Sequence, residues 1–239
     1  MSPEPIFLRV EQTDGPPVTQ CRTCGAGAPV DEHFCPHCSR ILSLGRHGDY
    51  FAFLGVPRRL GLDAQELERR FRELSRQFHP DFFYNAPPGE RLASLERSSY
   101  LNDAFRTLRN PVSRIEHLLA IEGLAPETTE GQAKAPASLL EEVFELNEQL
   151  DEIRELREDG ADPADVVRRF EKAKAPIEAR RVEHEQRVAQ LSERWDALSA
   201  DAPADARRGV LEALRQCVLE RNYITNLIGT IDREASAHG

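Results

Sequence analysis

Apolar positions recur at helical spacing along most of the chain, so the sequence predicts an all-α protein. The clearest stripe lies in residues 63–78, where apolar side chains fall at i, i+4, i+7 and i+11: Leu67, Phe71, Leu74 and Phe78. Three arginines fall on the opposite face of the same helix: Arg69, Arg72 and Arg76. Asp63, with Glu66 three residues later, is a helix-capping signature. This helix therefore packs through one face and presents cations on the other.

The tripeptide His79-Pro80-Asp81 ends this helix, because its proline cannot continue one. A second helix follows a loop at residues 85–89 and ends before Asn110-Pro111. Its apolar stripe has four members: Leu101, Ala104, Phe105 and Leu108. The pattern predicts a small hairpin of two antiparallel helices, joined through an exposed His-Pro-Asp loop. The tripeptide is not interpreted as a catalytic acid-base set, since no nucleophile accompanies it in the motif.

A short helix at residues 111–121 and a polar linker lead to three long helical stretches. These are predicted at residues 138–158, 163–198 and 205–234. Asp162 before Pro163 marks the start of the middle helix, and Pro176 is expected to kink it. The turns between these helices are short, so neighbours run antiparallel and form a three-helix bundle.

The first bundle helix carries both a core stripe and an acidic row. Its core positions repeat at heptad spacing: Leu139, Val143, Leu146, Leu150 and Ile153. The acidic row lies on the opposite side: Glu141, Glu145, Glu148 and Glu152. Leu140 and Phe144 flank this row, and two large apolar residues beside an acidic row favour a partner-binding face. The alternatives are that the pair packs against the helical hairpin or is simply exposed.

Overall composition narrows the class of protein. The 239 residues carry a formal net charge of -10, which opposes general nucleic-acid binding because no excess cation neutralises phosphates. No apolar run approaches the roughly 18 residues that a membrane span requires. Residues 1–15 match neither a signal peptide nor a transit peptide. The composition predicts a cytoplasmic protein with neither a nucleic-acid nor a membrane partner.

Four of the five cysteines form two Cys-x-x-Cys pairs separated by ten residues: Cys21, Cys24, Cys35 and Cys38. Four thiolates close a tetrahedral site without an open position, so the spacing predicts one structural Zn²⁺, ahead of iron or a redox pair. A segment this poor in apolar residues needs such a metal to fold. His33 and His37 are interpreted as surface residues beside a completed site. Cys217 stands alone on an apolar helix and is expected in the core.

The hairpin resembles the J-domain, the module that docks on DnaK-class chaperones and stimulates their ATP hydrolysis. The likeness rests on His79-Pro80-Asp81 after a basic amphipathic helix, preceded by Asp49-Tyr50-Phe51 and followed by Leu101-Asn102-Asp103-Ala104-Phe105. Phe82 stands where J-domains usually carry a lysine, so one cationic contact differs. The resemblance implies a chaperone-binding surface made of six residues: Arg69, Arg72, Arg76, His79, Pro80 and Asp81.

Residues 140–152 resemble the first bundle helix of the HscB/Jac family of iron–sulfur co-chaperones. Residues 114–119 are similar to that family's junction between J-domain and bundle, and some members carry an amino-terminal tetracysteine clip. In the family, the bundle binds the IscU-type scaffold on which clusters are built. The resemblance therefore implies a scaffold-binding surface made of Leu140, Phe144, Glu145, Glu148, Glu152 and Tyr223. Glu141 departs from the methionine often found there.

The resemblance implies a co-chaperone that is no enzyme itself: it delivers a scaffold to an HscA/DnaK-class chaperone and stimulates that partner's ATPase. A general J-protein for unfolded clients and a zinc-ribbon nucleic-acid protein are the alternatives. The predicted organisation is a zinc-knuckle segment, a J-domain and a three-helix bundle, with a tail and a linker. Their boundaries are predicted at residues 1–18 (tail), 19–47 (the cysteine clip), 48–123 (J-domain), 124–137 (linker) and 138–239 (bundle).

Overall fold

The computed structural model describes residues 18–30, 32–44, 48–125, 139–198 and 202–236. Helices dominate these residues, and the predicted all-α class is confirmed. The elements, in chain order, are β1 Val18–Gln20, β2 Gly27–Pro29, α1 Tyr50–Leu54, α2 Ala64–Phe78, a 3₁₀ turn Pro80–Phe83, α3 Pro88–Arg109, α4 Pro111–Ile121, α5 Leu140–Glu158, α6 Pro163–Ala197 and α7 Ala204–Ser236.

Contacts divide the described residues into two compact units. Unit 1 contains the cysteine clip, α1, α2 and α3. Unit 2 contains α4 to α7 together with the short segment Arg58–Leu62. Helix α4 therefore belongs to the same compact unit as the three bundle helices. The domain boundaries given above stay a prediction, because contact grouping does not measure which segments fold independently.

The cysteine clip is built from two similar turns. In each turn, the amide of the fourth residue after the first cysteine donates to that cysteine's carbonyl. Gly25 bonds Cys21 in this way at 2.9 Å, and Ser39 bonds Cys35 at 2.8 Å. Both closing residues are left-handed, with φ of 73° at Gly25 and 58° at Ser39. Glycine adopts this conformation freely, whereas serine does so at a steric cost, so the second turn is the more constrained one.

In unit 1, α2 and α3 form the predicted helical hairpin. Asp63 caps α2 by accepting from the amide of Gln65 at 2.9 Å. Midway along the pair, the ring of Phe71 stacks on that of Phe105, with centroids 4.3 Å apart. The remaining stripe residues are buried: Leu67, Leu74, Phe78, Leu101, Ala104 and Leu108. The helical periodicity of the sequence therefore identified both packing faces.

The carboxy-terminal end of α2 is held by α3. The hydroxyls of Ser94 and Ser98 donate to the carbonyl of Phe78, at 2.6 and 2.9 Å. A helix leaves its last carbonyls without partners inside the helix, so these two bonds satisfy a group that would otherwise need water. The residue that immediately precedes the His-Pro-Asp tripeptide is thereby fixed from the neighbouring helix.

In unit 2, α5, α6 and α7 form the predicted bundle around one apolar core. Asp162 caps α6, accepting from the amide of Ala164 at 2.9 Å, and α6 runs as one helix with Pro176 inside it. The predicted start of the first bundle helix, residue 138, lies outside the described residues. The core contains these buried side chains: Leu139, Leu146, Leu150, Ile153, Phe170, Ala173, Ile177, Ile224 and Ile231.

The segment Arg58–Leu62 is tied to the end of α6 and to α4. The carboxylate of Asp196 accepts from the amides of Leu60 and Gly61, both at 2.7 Å. The Arg114 guanidinium on α4 donates to the carbonyl of Leu60. These bonds join residues more than 50 positions apart in the chain, and they hold Leu60, which lines a cleft in unit 2.

Candidate functional site

The four sulfurs of the clip lie close enough together to hold one metal ion. All four lie within 4.8 Å of one another, and Cys21–Cys38 and Cys24–Cys35 are each 3.7 Å apart. A zinc ion about 2.3 Å from each sulfur would place tetrahedral ligands about 3.8 Å apart. The arrangement therefore fits a closed four-thiolate site, in which the metal would hold the two turns together.

The thiols of the clip differ in acidity because their surroundings differ. The backbone amides of Cys24 and Thr23 bond to Cys21 and hold the pKa of its thiol down to about 6. The Arg40 amide acts in the same direction on Cys38, but burial and bonds to the other three thiols outweigh it and raise the pKa of Cys38 to about 12. Thiols this close together share protons through hydrogen bonds. A bound divalent cation would displace those protons and leave four thiolates.

The clip is fastened to α3 through Arg97, a residue that is only 1% exposed. Its guanidinium lies 2.7 Å from Nδ1 of His33 and donates to the carbonyl of Leu42, also at 2.7 Å. The same guanidinium lies over the rings of Phe53 and Phe78, at 5.9 and 5.7 Å from their centroids. Burial lowers the pKa of Arg97 to about 10, so the group remains a cation at neutral pH.

The interpretation of His33 as a surface residue is wrong. Its ring contacts the rings of Phe53 and Phe78, at centroid distances of 4.8 and 4.9 Å, and its Nε2 lies 3.1 Å from the carbonyl of Phe53. Because a carbonyl only accepts, Nε2 carries the proton and Nδ1 accepts from Arg97. His33 therefore anchors the clip on α1, α2 and α3. His37, by contrast, is exposed as expected.

Replacing Cys35 by serine is expected to remove one bound zinc and to unfold the clip. A structural zinc supplies about 10 kcal/mol or more of folding free energy to a segment of this kind. Metal analysis of the reduced, purified chain together with circular dichroism measures both effects. His37→Gln is the matched control, because His37 lies within the second cysteine turn but is exposed and is not a member of the four-sulfur cluster. Equal clip zinc in wild type and Cys35→Ser would contradict the predicted site.

Replacing Arg97 by methionine is expected to destabilise unit 1 by about 3 kcal/mol, because His33 and the carbonyl of Leu42 lose their buried donor. Arg106→Met is the matched control. Arg106 lies on the same helix, is exposed and forms an ion pair with Asp103, three residues before it. Urea unfolding followed by circular dichroism compares the two variants. If both variants unfold at the same urea concentration, the buried hydrogen bonds of Arg97 do not stabilise unit 1.

The His-Pro-Asp tripeptide lies exposed at the end of α2. It was expected to be a loop, and its proline instead begins the 3₁₀ turn Pro80–Phe83. The amide of Asp81 donates to Nδ1 of His79 at 3.3 Å, and the Asp81 carboxylate lies 3.5 Å from the same nitrogen. Phe82 and Tyr84, which follow, are 76% and 77% exposed. The turn thus presents an imidazole, a carboxylate and two aromatic rings to solvent.

The basic face of α2 is partly neutralised by its own glutamates. Arg69 pairs with Glu66 at 2.6 Å, and Arg72 pairs with Glu68 at 2.6 Å. The bond from Arg69 lowers the pKa of Glu66. Arg76 has no ion pair within the described ranges. Of the three predicted arginines, the one nearest the tripeptide therefore has its charge available for a partner.

The predicted scaffold-binding residues lie on two helices of unit 2, α5 and α7. Leu140 and Phe144 are 54% and 71% exposed, so neither side chain belongs to the bundle core. Glu145, Glu148 and Glu152 are exposed beside them. Tyr223 differs, because it is half-buried and packs against the bundle core.

Part of the acidic row faces basic residues of α6. Glu145, Glu148 and Glu152 line a shallow depression of about 330 Å³, whose other side carries Arg169 and Lys172. The Glu152 carboxylate lies 3.9 Å from the Arg169 guanidinium. The sequence revealed the acidic row but not its basic neighbours, because they belong to a different helix.

Comparison with solved structures identifies the fold. The structure is similar to that of the human co-chaperone protein HscB, with a TM-score of 0.63 and 24% identity over 92% of this chain and 100% of that one. It is also similar to the chaperone HscB from Vibrio cholerae, with a TM-score of 0.51 and 24% identity over 79% of this chain and 98% of that one. No family model matches the sequence. The fold likeness to HscB inferred from the sequence motifs is confirmed.

Among the helices of the described ranges, none combines the length and the apolar composition that a membrane span requires.

Proposed function

We propose that this chain is a cytoplasmic co-chaperone of iron–sulfur cluster assembly. It binds an IscU-type scaffold through the bundle and delivers it to an HscA/DnaK-class chaperone whose ATPase it stimulates. The observation that carries the proposal is the exposed His79-Pro80-Asp81 turn at the end of a basic helix, within a chain that has the HscB fold.

The chaperone would bind unit 1 along α2 and the tripeptide. Arg76 supplies an available cation, and Arg69 and Arg72 can exchange their local carboxylates for acidic groups on the partner. His79, Pro80 and Asp81 lie at the tip, where the bonds of Ser94 and Ser98 to Phe78 hold the helix end in place. Such preorganisation lowers the entropy that docking costs. The contribution to ATP hydrolysis is allosteric, since the tripeptide carries no nucleophile.

The scaffold would bind unit 2 through Leu140 and Phe144. Exposed large apolar side chains are typical anchors of an interface, and the glutamates around them form a polar rim. Glu145 and Glu148 are the rim residues closest in sequence to these anchors. Glu152 already lies close to Arg169, and Tyr223 is half-buried. We therefore propose that these two residues contribute less to scaffold binding.

The clip would hold one zinc ion through Cys21, Cys24, Cys35 and Cys38. Zinc in a four-thiolate site is structural, because no coordination position is left for water or substrate. Through Arg97 and His33, the clip contacts the ring of Phe78, the residue before the tripeptide. We propose that the metal-bound clip supports the position of the chaperone-binding turn.

Reconstitution with a purified chaperone and scaffold from one host tests the proposal. The steady-state ATPase rate is measured with this chain, with the scaffold, and with both. We expect stimulation by the chain alone and a more than additive rate with both. An extended apolar peptide replaces the scaffold in a parallel assay and should not reproduce the synergy. No stimulation at any concentration would reject the proposal, and equal synergy with the peptide would favour a general J-protein.

A further inference from the structure

Three side chains of metal-ligand type meet between α6 and α7 in unit 2. His184 comes from α6, and Cys217 and Glu220 come from α7. Residues three apart share a helix face, so the thiol and the carboxylate both face the imidazole. One ligand atom from each of the three lies within 4.8 Å of the others, and all three residues are buried.

The hydrogen bonding of His184 suits a metal ligand. Its Nε2 lies 2.8 Å from the carbonyl oxygen of Cys217. A carbonyl only accepts, so Nε2 carries the proton and Nδ1 keeps its lone pair. Imidazoles that bind metals commonly donate their other N–H to a backbone carbonyl, which fixes the ring and makes the second nitrogen a better ligand.

One nitrogen, one sulfur and one carboxylate oxygen are a donor set for a borderline-soft divalent cation such as Zn²⁺ or Co²⁺. Three protein ligands leave a fourth position for water or another small ligand. His184 also lines a cleft of about 460 Å³ in unit 2, which is walled by Leu60, Ile115, Val188 and Ile224. His184 is the member of the cluster that borders this cleft, so the cleft is the side from which a fourth ligand would approach.

The local charges are compatible with a cation at this point. The Glu220 carboxylate is buried and lies 3.8 Å from the guanidinium of Arg187. On binding a divalent cation, the thiol would release its proton to solvent, and the thiolate and carboxylate together would balance the two positive charges.

We propose that His184, Cys217 and Glu220 form a metal site for a zinc-like divalent cation, separate from the clip and open to the cleft. Filling it requires the ligand atoms to approach one another from their present separation to about 3.5 Å, a distance that side-chain rotation covers. The site does not depend on the proposed co-chaperone function.

The test uses the full, reduced chain with its clip zinc in place, titrated with Co²⁺. Thiolate-to-cobalt charge transfer in the near ultraviolet reports binding, and cobalt and zinc are both quantified after desalting. We expect the wild type to take up one cobalt while its zinc content stays constant. Cys217→Ser and Glu220→Gln should each weaken this uptake by roughly 100-fold or more, since the loss of a direct ligand costs at least as much as the loss of a group that hydrogen-bonds to a ligand.

Glu185→Gln is the matched control, because Glu185 lines the same cleft but is absent from the cluster. Its cobalt affinity should equal that of the wild type, and thermal melts without cobalt check that every variant is folded. The proposal is overturned if the wild type takes up no cobalt with a thiolate band. It is equally overturned if Glu220→Gln and Cys217→Ser both bind as the wild type does, or if cobalt enters only as zinc leaves.

Discussion

Replacing His79 by glutamine is expected to abolish stimulation of the chaperone's ATPase while leaving the fold of this chain unchanged. The side chain is about half exposed and lies outside both packing stripes. Its hydrogen bond within the chain is a long one, 3.3 Å from the amide of Asp81, so its loss costs less than about 0.5 kcal/mol of stability. We therefore propose that the imidazole serves recognition rather than folding.

The measurement pairs a steady-state ATPase assay on the chaperone with circular dichroism of the variant. Arg106→Gln is the control, because it introduces the same residue, glutamine, at another exposed position of the hairpin. Arg106 lies twelve residues beyond Ser94, which contacts the end of α2, and that separation is about 18 Å along α3. We expect the control to stimulate as the wild type does. Full stimulation by His79→Gln would reject a J-domain mechanism for this chain.

Truncating Leu140 and Phe144 together to alanine is expected to weaken scaffold binding by 100-fold or more, with an almost unchanged melting temperature. Anchors of a well-packed interface are worth about 1–4 kcal/mol each. Both side chains are more than half exposed in the structure, so their removal leaves no cavity in the core. Isothermal titration calorimetry with the scaffold and a thermal melt separate affinity from stability.

Leu146→Ala is the matched control for this pair. Leu146 lies on the same helix but is 3% exposed and belongs to the bundle core. Its truncation should cost about 2–5 kcal/mol of stability and lower the melting temperature. If the double variant melts early and still binds the scaffold at full strength, the exposed pair is structural and the scaffold binds another surface.

Several features of this protein follow from short stretches of sequence. The stripe of Leu67, Leu74 and Phe78 determines which face of α2 is buried, because apolar residues at helical spacing gain free energy only when that face is covered. The proline of the tripeptide ends α2 by removing a backbone donor. The two Cys-x-x-Cys pairs specify a four-sulfur cluster, and Cys217 is buried as its apolar surroundings indicated.

Other features exist only where distant segments meet. Arg97 is a charged residue in an amphipathic helix, and nothing around it in the sequence distinguishes it from the exposed Arg106. The clip makes it a buried anchor by placing His33 and the carbonyl of Leu42 around its guanidinium. Asp196 likewise caps two amides that precede it by more than 130 residues.

The sequence by itself thus determined helices α2 to α7, the buried faces of α2 and α3, the cysteine cluster and the exposed tripeptide, whereas it did not predict α1. Each of these features depends on residues that lie close together in the sequence. The local backbone geometry then decides which side chains can contact each other. The tertiary structure alone decided the role of Arg97, the basic residues opposite the acidic row and the meeting of His184 with Cys217 and Glu220. These features depend on how the helices pack. Contacts between side chains of different helices are set by the packing of the whole core, which no single segment of sequence determines.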